Sequence, residues 1–423
     1  VAVLDARMND AAPSVRQAAV SAIPHFRGSG GGRVAIATVS ARLEDPCGSV
    51  RWAAVDALAD MVAKGDDYAV NAIGARLDDH DVAVREVAVT ALSRIVERGD
   101  ERAIDAVCCR LNDHNSSVRR AAVYALPAVF RKGDGRAITA LRERLTDRDG
   151  LVSAAAVATM PLAAHMGDER MIAAVIPCLL MDDARARQAA VDVLWQVAGR
   201  GDERAIAALV PQLADDSECV RRAALYALGH VAQRGRPDVV AAASARLQDD
   251  CPPVRLAALK ALPQLVEQGS VQAITALAGC LGDRDESVRE AAVDAFARVA
   301  ERGDTRAVGI LTMLLESPDG ATRSAAVGAL AQVAAKGDVV VIAALRVRLD
   351  DHDASVRCAA VSALPCVVAR GDELTINAVS SKLEDGDGPV RQAALEALSQ
   401  VLASDDDGSA AVLNARLGAL AKF

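Results

Sequence analysis

Apolar residues along this chain fall into two alternating helical patterns. In residues 100–111, Ile104, Val107, Cys108 and Leu111 stand at i, i+3, i+4 and i+7, one stripe on a helix of about three turns. In the second pattern Val84, Val87, Ala88, Ala91, Leu92 and Ile95 stand at 0, 3, 4, 7, 8 and 11, a face wide enough to touch both a partner helix and the next helix pair. Short polar segments such as Asn112–Ser117 separate the two, with side chains that favour turns and caps, and a second helix is predicted from about Ser117. Asp100 marks the predicted start of a first helix, because its carboxylate can accept from the exposed amides of the first turn. Lys64-Gly65, Arg98-Gly99 and Lys132-Gly133 mark predicted ends of second helices: the cation suits the negative helix end and glycine supplies a left-handed residue.

The two-helix pattern recurs with a period of 34 residues. Arg16, Arg51, Arg85, Arg119, Ser153, Arg187, Arg221, Arg255, Arg289, Arg323, Arg357 and Arg391 stand at the same place in successive repeats. Only the first interval is longer, by one residue, and only Ser153 breaks the residue type. A fixed period of this size predicts stacked supersecondary units, each burying its apolar face against its neighbours. The expected fold is therefore all-α, a solenoid of about twelve helix-turn-helix repeats, read as one domain over residues 1–423. Val1 to Asp10 align with the back half of a helix and no Met opens the chain, so the N-terminal repeat is expected to be incomplete. Residues 401–423 are expected to form a C-terminal capping helix.

The helix, Asp-rich turn and Val-Arg opening of a second helix resemble the HEAT-repeat family, in the short form of the phycobilisome-lyase repeats. The tetratricopeptide repeat shares the period, but its Trp, Leu-Gly and Tyr pattern is absent. The resemblance implies that first helices line the outside and second helices the concave side of a curved superhelical rod, on the order of 100 Å long at about 8 to 10 Å per repeat. It spans nearly the whole chain, but the family includes scaffolds, transport receptors, enzymes and assembly factors.

Composition narrows these classes. The chain is 52% hydrophobic and only 2% aromatic, so the core is built from Ala, Val, Leu and Ile. A net charge of -9 argues against the basic field of a nucleic-acid binder. No stretch reaches the roughly 18 apolar residues of a membrane span. Nine cysteines, with no C-x-x-C pair, suggest reduced thiols in a reducing intracellular compartment such as the cytoplasm. An organelle stays open because the start of the chain is expected to lie upstream.

Several motifs are absorbed by the repeat. Arg-Gly-Asp at 98, 200, 302 and 370 reads as a helix-stop glycine followed by the aspartate that starts the next helix, rather than an adhesion ligand. The Val-Arg arginines are expected to bond to the Asp-rich turns, Arg85 to Asp79 or Asp81 for example, as a ladder between repeats. The aspartate runs at 78–81, 350–353 and 384–387 lack the ligand spacing of a calcium loop. Gly28 to Gly32 lacks the Lys-Ser/Thr of a phosphate loop and reads as a lengthened turn. His25, His80, His114, His165, His230 and His352 are scattered over different repeats, and none is followed by Glu, the pairing that the HEAT-repeat iron hydroxylases would imply. No catalytic, cofactor or metal residue is assigned. Pro24, Pro127, Pro161, Pro263 and Pro365, eight residues after the arginine position, are expected to bend the second helices.

What departs from the repeat on its exposed face is the candidate site. Trp52, Arg120, Tyr124, Arg222, Tyr226 and His230 occupy the columns one, five and nine after the arginine position, and Tyr and Arg are favoured in binding hot spots. From Leu151 to Met166 no residue is charged, the same holds from Met171 to Met181, and Ser153 replaces the arginine there. A helix apolar on all sides is normally buried on all sides. Ala154, Ala158, Leu162, Met166, Met171, Val175 and Leu179 are expected to include part of a protein contact, the competing reading being a tighter local packing that buries them. The function expected is a non-catalytic scaffold or adaptor for a protein partner or multisubunit complex, needing no cofactor or metal. A bilin-lyase-like enzyme or cofactor-assembly factor is the alternative from another class, and nucleic-acid binding, which needs a basic groove, is a third.

Overall fold

The computed structural model describes residues 2–26 and 32–401. Among these there are helices and turns and no strand, and the chain divides into two compact units after Leu209. The expected lengthened turn at Gly28 and the expected capping helix at 401–423 lie outside the described residues.

Each repeat is one short and one long helix. The long, second helices of the first unit are Gly48–Met61, Val82–Ile95, Ser116–Val129, Gly150–Ala163 and Ala184–Val197, each 14 residues. Within the unit each packs on the second helix of the neighbouring repeat and on a first helix of its own. In Ser116–Val129 the side chains of Val118, Ala122, Val123, Ala125, Leu126 and Val129 are buried, which is the wide face set by the 3, 4, 7 spacing. The second unit repeats the plan from Glu218–Val231 to Gly388–Val401. First helices are shorter, such as Glu101–Arg110. Where Pro177 withholds an amide, the first helix stops at Val175 and continues as a 3-10 turn to Leu180. The 14-residue helices run unbroken through Pro127, Pro161, Pro263 and Pro365, while Pro24 lies in a 3-10 turn, Ile23–Phe26.

Caps follow the pattern read from the chain. Asp100 accepts from the amides of Arg102 at 2.9 Å and Ala103 at 3.3 Å, and Asp202, Asp304 and Asp372 cap first helices in the same way, so all four Arg-Gly-Asp carboxylates are helix caps. Each such cap contributes about 1 kcal/mol. The glycines do a different job from the one expected. The helix Ser116–Val129 ends three residues before Lys132, and Phe130 leaves it in an extended conformation, buried in the core. Gly133, at φ +84, turns the chain into the next repeat, and its amide donates to Ala163 O at 2.7 Å, the end of the following second helix. Gly65 and Gly99 bond to Ile95 and Val129 in the same way. Glycine therefore links repeats rather than terminating its own helix.

The arginine ladder is present with its acid one repeat further on. Arg85 donates to the backbone oxygen of Asp79 at 2.8 Å, but its carboxylate partner is Asp113, at 2.9 and 3.1 Å. The guanidinium is aimed out of its own turn: one terminal nitrogen caps that turn's carbonyl while the other edge forms a bidentate pair with the neighbour. Arg16–Asp45, Arg51–Asp79 and Arg119–Asp147 repeat the rung in the first unit, and Arg221–Asp249, Arg255–Asp283, Arg323–Asp351 and Arg357–Asp385 in the second. The guanidinium holds each acid below the usual carboxylate range, Asp45 and Asp385 most directly through that bond. At Ser153 the rung is missing at both ends. The residue in the acid's place is Met181, and Ser153 Oγ donates instead to Leu145 O at 2.7 Å. A second row joins first helices: Arg76, Arg110 and Arg144 donate to Leu43 O, Leu77 O and Leu111 O, 33 residues back.

Candidate interaction surface

The exposed side of the second helices in the first unit is a set of parallel columns, because residues one, five and nine after the arginine position share the face opposite the core. A cavity of about 510 Å³ opens between three of these helices. Glu86, Thr90 and Ser93 line it from Val82–Ile95, Arg120, Ala121, Tyr124 and Ala125 from Ser116–Val129, and Leu151 and Ala154 from Gly150–Ala163. The structure thus brings together Arg120, Tyr124 and Ala154, three residues singled out from the chain alone.

The apolar surface continues from the cavity along Gly150–Ala163. Leu151, Ala154, Ala158 and Leu162 are all exposed, a row at 0, 3, 7 and 11 along one side of the helix. Leu162 keeps 63% of its surface accessible and Met166, in the following turn, 78%. The other side of this helix is buried through Val152, Ala155, Ala156, Thr159, Met160 and Ala163, so the helix is apolar all round with only half of it covered. Met171 is different: it is fully buried, as are Val175 and Leu179. These residues lie on the core stripe of a first helix at 171, 175 and 179, and the uncharged run there is packing rather than surface.

Trp52 is 38% exposed but does not line the cavity. Arg222, Tyr226 and His230 are exposed on Glu218–Val231 of the second unit. The rings of Tyr226 and His230, one turn apart, lie 4.5 Å from each other and tilted by 58°.

Charge around the apolar row is sparse and unpaired. Arg94 is held by Asp56 and Asp60, whereas Arg120 and Glu86 have no hydrogen bond or ion pair from their side chains to another described residue. On the far side of the row, Asp192 of Ala184–Val197 is half-buried, and that burial pushes its carboxyl up to about 6, with a hydrogen bond from Gln188 working in the opposite sense. Neither Asp192 nor Leu151 stood out from the chain. Asp192 gains its character from what surrounds it in space, and Leu151 lies outside the columns counted from the arginine.

A second exposed apolar set is in the second unit, on first helices: Met313, Val339, Val340, Val347 and Leu374. Its signal in the chain is the run Val339-Val340 at a helix start where an earlier repeat carries Glu101-Arg102. Among the described residues no group of three or more His, Cys, Asp or Glu side chains could hold a metal ion. No helix among them is long and apolar enough to cross a membrane. The cysteines described form no disulfide, and Cys47 and Cys251 stand at helix N-caps rather than in apolar stripes.

The family model for HEAT repeats matches seven overlapping segments, at residues 1–92, 36–127, 70–161, 109–195, 138–229, 206–297 and 280–365. The chain belongs to the HEAT-repeat family. Among curated proteins none matches it. Solved HEAT-type solenoids share its fold: a chain from the structure of Kap95p with RanGDP is similar at a TM-score of 0.61 and 16% identity, covering 95% of this chain and 61% of that one. Importin beta in an ammonium sulfate condition gives 0.57 and 16%, over 95% and 62%. Yeast importin-beta, Kap95p, gives 0.56 and 16%, over 100% and 64%. The chain thus spans a little over three fifths of these neighbours, and at such identity the likeness is one of fold.

Proposed function

We propose that this HEAT-repeat chain is a non-catalytic scaffold or adaptor that binds protein through the exposed face of its second helices, centred on the apolar surface of repeats five and six. The observation that carries the reading is the exposed row Leu151, Ala154, Ala158 and Leu162. A row of apolar side chains left open on a helix that carries no charge is costly in water and marks contact surfaces. Arg120 and Tyr124 at its edge are residue types that anchor interfaces. Trp52 would extend the contact on the same unit, and Arg222, Tyr226 and His230 are a candidate contact of the second unit by itself; Met171 has no part in it because it is buried. The structures of Kap95p with RanGDP and with Nup1 show that similar solenoids are found in protein complexes.

Leu162→Glu tests this. Partners captured from the source cells by the wild-type chain and identified by mass spectrometry are compared with those captured by the variant, with helicity followed by circular dichroism. The reading expects one or more partners to be lost at unchanged helicity. An identical partner set for the two chains refutes it.

A further inference from the structure

The surface around helix Gly150–Ala163 is specific about what it can hold, and the inference rests on the scaffold reading above. Its floor, Leu151, Ala154, Ala158 and Leu162, offers almost no hydrogen bond: the side chains are apolar and the backbone groups are spent inside the helix, save the Val157 carbonyl, which Pro161 leaves without its helical donor. An extended peptide laid there would bury amides without partners, whereas a helix brings its backbone bonds with it. Neighbouring second helices lie roughly 10 Å apart, so a helix about 10 to 12 Å across laid along the floor helix would reach the outward side chains of the helices on either side of it. The small Ala154 and Ala158 keep the floor low between them.

The two flanking helices differ in sign. On one stands Arg120, half-buried and without a partner among the described residues, with Tyr124 one turn along and Glu86 one helix further away. On the other stands Asp192, half-buried, with only the uncharged Gln188 hydrogen-bonded to its carboxyl and no ion pair among the described residues. We propose that this surface binds an amphipathic α-helix of a partner protein whose apolar stripe lies on the floor, with a carboxylate on one flank for Arg120 and an ammonium or guanidinium on the other for Asp192. Either charge left unmatched under a covering helix would be desolvated without compensation, so the surface selects against helices flanked by a single sign.

Three fluorescent 18-residue helical probes with the same Leu stripe test this by anisotropy: one with Glu on one flank and Lys on the other, one with Lys on both, one with Glu on both. The wild-type chain is expected to bind the mixed probe about fivefold more tightly than either single-sign probe, the range for partly exposed charge pairs. Arg120→Glu should shift preference to the Lys probe and Asp192→Lys to the Glu probe, with Arg120→Gln losing the discrimination at the Arg120 flank while keeping the fold. Equal affinity for all three probes on wild type and variants overturns the proposal. So does failure of every probe to bind while partner capture still depends on Leu162, a result that leaves the scaffold reading standing. Capture independent of Leu162 would remove that reading on separate grounds.

Discussion

Restoring the missing rung by Ser153→Arg with Met181→Asp measures what the ladder is worth. In the intact rung one repeat earlier, Arg119 bonds both oxygens of Asp147, at 2.9 and 2.7 Å, and the backbone oxygens of Asp113 and His114 at 2.9 and 3.2 Å. Both side chains are about 95% buried, at 5% and 4% exposure. Breaking such a pair by removing one partner costs about 3–5 kcal/mol. At the gap Met181 is 40% exposed, so solvent weakens the effect and a coupling of up to about 2 kcal/mol is expected. Ser153→Arg alone gives up the 2.7 Å bond to Leu145 but keeps two turn carbonyls within reach, and should cost under about 1 kcal/mol. Met181→Asp alone leaves a partly solvated carboxylate with no guanidinium and should cost under about 1 kcal/mol. The double variant should recover all of this. Repeat arrays open locally, so the assay is hydrogen exchange of helix Gly150–Ala163 in the four chains, beside urea melts. A coupling below about 0.5 kcal/mol, the scatter of additive sites, refutes the view that the bidentate pair joins the repeats.

Two other perturbations follow from the geometry. Gly133→Ala should destabilise by about 1 kcal/mol through its left-handed backbone alone, since a Cβ there meets nothing closer than Asp168 Oδ2 at 3.8 Å; a thermal melt unchanged from wild type contradicts this. Asp192 is held up to about 6 by burial, so its ionised form disfavours the folded chain above pH 6, and that penalty disappears as pH falls toward the ordinary value near 4. Asp192→Asn should therefore raise stability at pH 7.5 by about 1 kcal/mol after allowing for solvent screening and give no gain at pH 4; equal gains at both pH values refute the burial argument.

What could be read from the chain was whatever repeats. The 34-residue period located helix starts to within a residue, as at Ser116 against an expected Ser117, because each apolar stripe is copied many times and chance matches average out, though the second helix ends three residues before the expected Lys132. The ladder arginines were legible for the same reason, but not their acids: the carboxylate next to Arg85 in sequence, Asp79, lends only its backbone oxygen, and the partner is 28 residues away. Inter-repeat contacts have a sequence separation near one period, and nothing local distinguishes them. Uncharged runs were ambiguous in the same way. The helix holding Leu162 and the stripe holding Met171 look alike as composition, yet one is half open and the other closed. Helical phase separates them: 151, 154, 158 and 162 lie opposite the core residues of their helix, whereas 171, 175 and 179 are core residues.

The two broken rungs show which partner a solenoid can lose. At the Ser153 rung arginine and acid are both gone, and no charge is left behind. At Arg289 only the acid is gone, replaced by Ser317, and the guanidinium keeps the backbone oxygens of Asp283 and Arg284 at 2.8 and 3.2 Å. Among the rungs with both positions described, none keeps the acid without the arginine. The asymmetry follows from the inventory of donors and acceptors: a turn presents several carbonyls to an orphaned guanidinium, whereas an orphaned carboxylate keeps one amide two residues on, as Asp147 has from Asp149, and the first-helix arginine three residues before it, as Asp147 has Arg144 at 3.7 Å. At the Ser153 rung that arginine is replaced by Cys178, so an acid at 181 would have a cation from neither row. The turn beside Gly150–Ala163 therefore lacks the rung's ion pair and exposes Leu180 and Met181, while Asp182 and Asp183 follow directly and Arg187 donates to the backbone oxygens of Met181 and Asp182 at 2.8 and 2.9 Å.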